Sequence, residues 1–437
     1  MRSTRGLVGA LLVATILAAC ANPPSPSAPV SLLAATPLAT SSAANSSTPG
    51  PSPNSSVAPL VSIPPPELSG GLRWERVNVP GGSVFTSVIA DGTSFLAAAR
   101  DDSSQATDYA PEFWRSTDGV SWSHIRLSSM APFIPDQPDR YYYTVTSLVR
   151  SGATIVAVGD RLLDDASTGD AAMWISGDDG TSWQRAPAGP GLTDASVFRV
   201  AHGPNGYVAV GSDGYPGPST QDVGSRGAAV WTSSDGQAWV REPSEVAFDG
   251  GFMTSVIPAG QGFTATGSIH GVPGGSIPLP PIWTSSDGRT WHRAGSAPSL
   301  ANADSFTVSP GPGGYTLTGS IFDPTAGTSQ AGAWWSSDGS SWARTSTSIG
   351  SVAAVTTLNG KLVAVGNQLE GPSPVFDAGV WVSVDGRSWQ GLPSVASFKN
   401  ASVLDAVANN GRLVIVGSDA DPNSAAELGY VWLATKP

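Results

Sequence analysis

A tryptophan, a polar turn built on Ser, Asp and Gly, and a second tryptophan form a unit that recurs along this chain, so every copy needs an equivalent place in the fold. The copies run from Trp114 to Trp122, Trp174 to Trp183, Trp231 to Trp239, Trp283 to Trp291, Trp334 to Trp342 and Trp381 to Trp389. In each, the first Trp closes an apolar run such as Ala228-Ala229-Val230, and the second opens another. That is the signature of a hairpin. Its Asp accepts hydrogen bonds from its own turn, and its Gly reaches positive φ without a Cβ penalty.

Between the turns the chain divides into units of four short strands. In the first full unit, strand A is expected near Val84 to Ile89, B near Phe95 to Ala99, C near Glu112 to Arg115 and D near Trp122 to Arg126. Strand B returns as Ile155-Val-Ala-Val-Gly159, Tyr207-Val-Ala-Val-Gly211, Phe263-Thr-Ala-Thr-Gly267, Tyr315-Thr-Leu-Thr-Gly319, Leu362-Val-Ala-Val-Gly366 and Leu413-Val-Ile-Val-Gly417, which makes seven copies. The last unit stops after strand C at Tyr430-Val-Trp432, with no Asp-Gly turn and no strand D. Trp74-Glu75-Arg76 matches strand D, yet no other strand precedes it. Two incomplete ends make one whole unit. The expected fold is all-β: a seven-bladed propeller of four-stranded antiparallel blades, closed by its N-terminal strand.

Composition narrows the partners. A formal net charge of −12 removes the basic surface that phosphate binding needs, so nucleic acid is excluded. The lone cysteine, Cys20, rules out an internal disulfide. Arg2 and Arg5 precede the apolar run Leu7 to Ala19, and Leu17-Ala18-Ala19-Cys20 resembles a bacterial lipobox. By that resemblance residues 1–20 hold a lipoprotein signal, cleaved before Cys20, whose thiol carries the lipid at the outer face of the membrane. An ordinary secretory signal and an uncleaved anchor are the alternatives. Residues 21–68, rich in Pro, Ser and Ala with scarcely a charge, read as an extended tether, and 69–437 as the propeller.

Ser176-Gly177-Asp178-Asp179-Gly180-Thr181-Ser182-Trp183 resembles the Asp-box of sialidase-like and other BNR-repeat propellers. The other five copies are one residue shorter. The resemblance implies structural turns at Asp118, Asp178, Asp235, Asp287, Asp338 and Asp385, set away from the active face. Sialidases also carry an early Arg-Ile-Pro motif, an arginine triad and a Tyr nucleophile on six blades; this chain has no Arg-Ile-Pro and seven units. Its recurring arginines, Arg76, Arg185, Arg241, Arg293 and Arg344, each follow a strand-D Trp by two residues. That spacing puts Arg and Trp on one strand face and predicts cation–π contact or a carboxylate partner.

The A–B and C–D turns share one rim and are short; the D–A and B–C connections share the other and differ from one another. Variable loops on a rigid scaffold are the expected binding surface. The B–C loops gather acids, among them Asp101, Asp102, Asp108 and Glu112, then Asp160, Asp164, Asp165 and Asp170, then Asp213, Asp222 and Asp377. These either keep the surface soluble or bind sugar hydroxyls or basic groups. The D–A loop Leu127 to Tyr142 sets Asp136 and Asp139 beside Tyr141 and Tyr142, which suits a sugar platform or a capping cluster. Aligning the inner strands gives the column Thr86, Thr146, Arg199, Thr254, Thr307, Ala353 and Asp405, where two charges interrupt small residues on blades that lie roughly opposite. A channel ion pair and a ligand-orienting pair both fit.

No catalytic constellation emerges, no histidines share metal-ligand spacing, and no cofactor is expected. Asp419-Ala-Asp421-Pro-Asn423 resembles the start of a calcium loop but lacks its later Gly and reaches Glu427 too early. The resulting expectation is a membrane-tethered, monomeric binding or scaffold lipoprotein for an extracellular glycan or protein. The rival is a sialidase-like glycoside hydrolase or lyase acting on extracellular polysaccharide.

Overall fold

A computed structural model describes residues 66–79, 83–100, 111–125, 141–163, 169–187, 189–214, 227–269, 281–294, 298–323, 325, 328–345, 349–369, 376–419 and 428–437. Their strands form seven antiparallel sheets, with the inner strands touching in succession from blade 1 to blade 7 and back to blade 1. The fold is the expected seven-bladed propeller. Strand A of blade 1 is Val84–Asp91, that of blade 3 Ala195–Gly203 and that of blade 7 Ala401–Asn409.

Closure also follows the expectation. Leu72–Asn78 lies antiparallel to Gly429–Thr435, with Trp74 opposite Ala434 and Arg76 opposite Trp432. An unexpected strand, Glu67–Ser69, then pairs with the start of Leu72–Asn78 and makes this blade five-stranded. The Glu67 carboxylate accepts the Ala396 N–H at 3.0 Å, and the Ser69 hydroxyl donates to the Pro393 carbonyl at 2.6 Å. The extra strand therefore clips the closing blade to the connection from blade 6. In blades 2 to 6 the outer strands shrink to two residues, such as Gln184–Arg185, which leaves little edge for a foreign strand.

The tryptophans perform two tasks. Those of strand D wedge between sheets: Trp183 of blade 2 stacks on Phe113 of blade 1 at 3.9 Å, with the rings nearly parallel. Several of those in strand C hold the D–A connections. Trp231, Trp283 and Trp432 donate their indole N–H to the carbonyls of Gly191, Ala247 and Ser397, each in a one-turn 3-10 helix just before its own blade's inner strand. In these three the buried ring supplies apolar area and its one polar atom is satisfied on the way in.

Every inner strand carries a β-bulge, lodged at Phe85/Ser87, Val145/Ser147, Val197/Arg199, Met253/Ser255, Asp304/Thr307, Val352/Ala354 and Val403/Asp405. The bulge explains the strand-B glycine. A Cβ on Gly159 would meet the Thr144 carbonyl oxygen at 1.9 Å, and one on Gly211 that of Ser196 at 1.8 Å, so only hydrogen fits at these two places, whereas blade 1 carries Ala99 opposite its bulge.

Candidate functional site

The Ser-Asp-Gly turns occupy one rim, and each is closed by its own Ser and Asp side chains. Ser176 Oγ accepts the Gly180 N–H at 2.8 Å, and Asp178 Oδ1 accepts the Ser182 N–H at 2.8 Å. In the shorter turns Asp118, Asp235, Asp287, Asp338 and Asp385 each accept two consecutive backbone N–H groups. The Ser182 N–H, then its hydroxyl, pull the Asp178 carboxyl down to about 2; backbone donors, led by those of Ala238 and Ser388, lower Asp235 and Asp385. The glycines press on the preceding blade: a Cβ on Gly236 would meet Val156 at 2.7 Å. These acids close their own turns, and the glycines beside them set how near the neighbouring blade can come. The longer turn of blade 2 inserts Asp179 at φ 59, and Arg150 pairs with its carboxylate while also pairing with Asp91 of blade 1.

Four of the five arginines in the column, Arg76, Arg185, Arg241 and Arg293, lie over aromatic rings, although not over the strand-D Trp. Arg241 and Arg293 lie over Trp231 and Trp283 of strand C, at 5.7 and 5.4 Å from the ring centroids. Arg76 covers Tyr430 at 4.4 Å and Arg185 covers Tyr143 at 5.4 Å. The strand-D Trp two residues back is the wrong partner, because its ring turns into the joint between blades; the strand-C Trp faces the arginine across the ladder, as in Trp231 opposite Arg241.

On the opposite rim the acids divide. Asp136, Asp139, Asp164, Asp165 and Cys20 lie outside the described residues, and Tyr141 and Tyr142 begin strand A of blade 2, Tyr141–Ser151. Of the described acids, Glu112, Asp160, Asp170, Asp213 and Asp377 accept donors supplied by the fold. Glu112 accepts from Ser83 Oγ at 2.8 Å and Trp114 Nε1 at 3.2 Å. Asp170 and Asp377 stand four residues before their strand-C Trp and accept the N–H of Asp194 (3.1 Å) and Asn400 (2.9 Å), both at positive φ. Asp213 pairs with Arg241 at 2.5 Å. Asp160 is buried in the joint with blade 3, accepting from Val197 N–H at 3.0 Å and Ser196 Oγ at 3.3 Å, and loss of solvent raises its carboxyl to about 7. Sequence reasoning missed these joints; the signal was the polar residue after each strand-B glycine.

Arg199 and Asp405 do meet. Arg199 Nη1 lies 3.8 Å from Asp405 Oδ2. They sit on inner strands of blades 3 and 7, which are not neighbours in the ring, so the guanidinium spans the axis. The alignment needs one correction. Because each strand is bulged, Arg199 and Asp405 are in register with Ser87, Ser147, Ser255, Thr307 and Ala354, whereas Thr86, Thr146, Thr254 and Ala353 are the extra bulge residues, matched by Phe198 and Leu404. In blade 2 the residue in this register, Ser147, accepts the Val200 N–H of blade 3 at 3.4 Å. Asp405 does the same for blade 1: its Oδ2 accepts Ser87 Oγ–H at 2.8 Å and Val88 N–H at 3.1 Å, while Oδ1 accepts the Ala406 N–H at 2.9 Å.

Among the described residues no group of three or more His, Cys, Asp or Glu side chains could hold a metal ion. His202 Nε2 lies 3.3 Å from Ser151 Oγ on the turn-bearing rim and packs edge-on against Tyr207.

No known family profile matches the chain, and no curated protein matches it. Solved structures are similar at low identity. The phage phi92 endosialidase aligns over 84% of this chain and 69% of its own at 12% identity, with a TM-score of 0.46. YCF48 bound to D1 peptide aligns over 86% and 100% at 13% identity, with a TM-score of 0.47. An alpha-L-arabinofuranosidase of Fusarium graminearum in complex with an iminosugar inhibitor aligns over 82% and 94% at 12% identity, with a TM-score of 0.44.

Proposed function

We propose that this protein is a lipid-anchored binding or scaffold component of the cell surface, whose propeller presents its variable rim and axial mouth to an extracellular glycan or protein. The observation that supports this reading is the commitment of the described acids on that rim. Glu112, Asp170, Asp213 and Asp377 each accept donors supplied by the fold itself, and Asp405 accepts three. A carboxylate whose oxygens are turned to donors of the fold is poorly oriented to reach a glycosidic oxygen, as hydrolysis by paired carboxylates requires. Asp160, whose carboxyl is raised, is walled off inside a blade joint. What remains is a rigid frame with an asymmetric mouth, which suits recognition.

The test is the full chain carrying Cys20→Ser, applied to an array of neutral and acidic glycans and to purified surface proteins. Saturable binding without loss of ligand supports the reading. Release of sugar from sialoside or uronide polymers, with no stable binding, overturns it in favour of the hydrolase.

A further inference from the structure

We infer that the axial channel takes a small monocarboxylate, held by the guanidinium of Arg199. This deepens the binding function proposed above by naming a ligand class. Asp405 does not need Arg199, because a hydroxyl and two backbone N–H groups already occupy its oxygens. Nor does the joint need a charge there, since Ser147 makes the same interblade contact in blade 2. Arg199, in turn, is left open. Its one polar partner among the described residues is Asp405 at 3.8 Å, beyond hydrogen-bond reach, and its side chain keeps 27% of its exposure. Arg76, Arg185, Arg241 and Arg293 all lie over aromatic rings; Arg199 is aimed across the axis instead, its planar fork of donors hydrogen-bonded to none of the described residues.

Such a fork matches a carboxylate with two parallel hydrogen bonds. Asp405 sets the charge that is tolerated: it steadies the guanidinium through the long contact but repels a second full negative charge, so a monoanion is favoured over phosphate or sulfate. The neighbouring bulge residue, Phe198, is partly exposed and leans on Phe252 at 6.0 Å between ring centroids, which gives the same strand an apolar surface beside the cation.

The experiment is calorimetric titration of the full Cys20→Ser chain with glucuronate, glucose and inorganic phosphate. Glucuronate is expected to bind about tenfold or more tightly than either of the others, as loss of a charge-assisted pair implies. Arg199→Ala should abolish the preference and Arg199→Lys should keep part of it. Asp405→Asn should tighten glucuronate, because Asn can still accept the Val88 N–H while freeing the guanidinium. Equal or absent binding of glucuronate and glucose, or a preference that survives Arg199→Ala, overturns the inference. So does weaker binding by Asp405→Asn with its tryptophan fluorescence and melting temperature unchanged. If the Arg199→Ala chain still captures a glycan or protein while glucuronate never binds, the inference falls and the binding function stands; if nothing binds the parent chain, both fall.

Discussion

Asp160 and Asn367 occupy the same place in blades 2 and 6: each follows the strand-B glycine and accepts a backbone N–H from the next blade's inner strand, that of Val197 at 3.0 Å and of Val403 at 2.9 Å. The joint thus works with an amide as well as with a carboxyl. The acid carries a pH cost that the amide does not. Its folded carboxyl titrates at about 7 against an ordinary 3.8, so the folded state holds a proton that the unfolded chain has lost. Stability from this group is full below 3.8 and is lost as pH rises through about 7. Asp160→Asn should therefore stabilise the protein at pH above 7, with little gain near pH 4. The gain is a few kcal/mol at most, because each tenfold difference in proton affinity between folded and unfolded chain is worth about 1.4 kcal/mol. Urea unfolding at the two pH values measures it.

The Ser-Asp-Gly turns have the opposite sign. Asp178 titrates at about 2 when folded, so its contribution is present above 3.8 and is lost as pH falls through about 2. Asp235 and Asp385 shift in the same direction. Asp178→Asn should flatten the fall in melting temperature over that acid range, and an unchanged acid profile would show that the turn does not report on folding.

Ring closure depends on a buried ring more than on its clip. Trp74 is 1% exposed and meets Phe398 edge-on at 5.0 Å. Trp74→Ala is expected to cost about 3–5 kcal/mol, as for other buried tryptophans. Glu67→Ala, which removes an exposed acceptor for Ala396, should cost about 1 kcal/mol or less. Denaturant midpoints for the two variants should separate clearly; equal losses would mean that the extra strand carries the closure.

Anchoring is tested at Cys20. Cys20→Ser in the secreted chain should move the protein from the membrane fraction to the soluble fraction and abolish incorporation of labelled fatty acid. Retention in the membrane would favour an uncleaved anchor.

Much of the fold was legible because the pattern repeats. The Trp pairs, the Val-Gly ends of strand B, and the mismatched ends at Trp74 and Trp432 led to seven blades and to circular closure, which the pairing of Arg76 with Trp432 bears out. The site was less legible. Arg199 and Asp405 stand out in sequence as charges among small residues, yet a bulge in every inner strand shifted the alignment by one, and the bulged strand itself carries no local mark of it.

Local sequence determined whatever depends on neighbours in the chain: the turns at Asp118 through Asp385, the alternation that makes strands, and the positions where rings are buried. Tertiary structure decided which acids remain available. Glu112, Asp160, Asp170 and Asp377 look alike in sequence as loop acids, and they are engaged by donors that folding brings to them: Ser83, Val197, Asp194 and Asn400, residues 23 to 37 positions away along the chain. Donor and acceptor in such a joint belong to separate strands or blades, so no local pattern encodes the pairing. The same holds across the axis, where Arg199 faces a carboxylate that blade 1 had already satisfied.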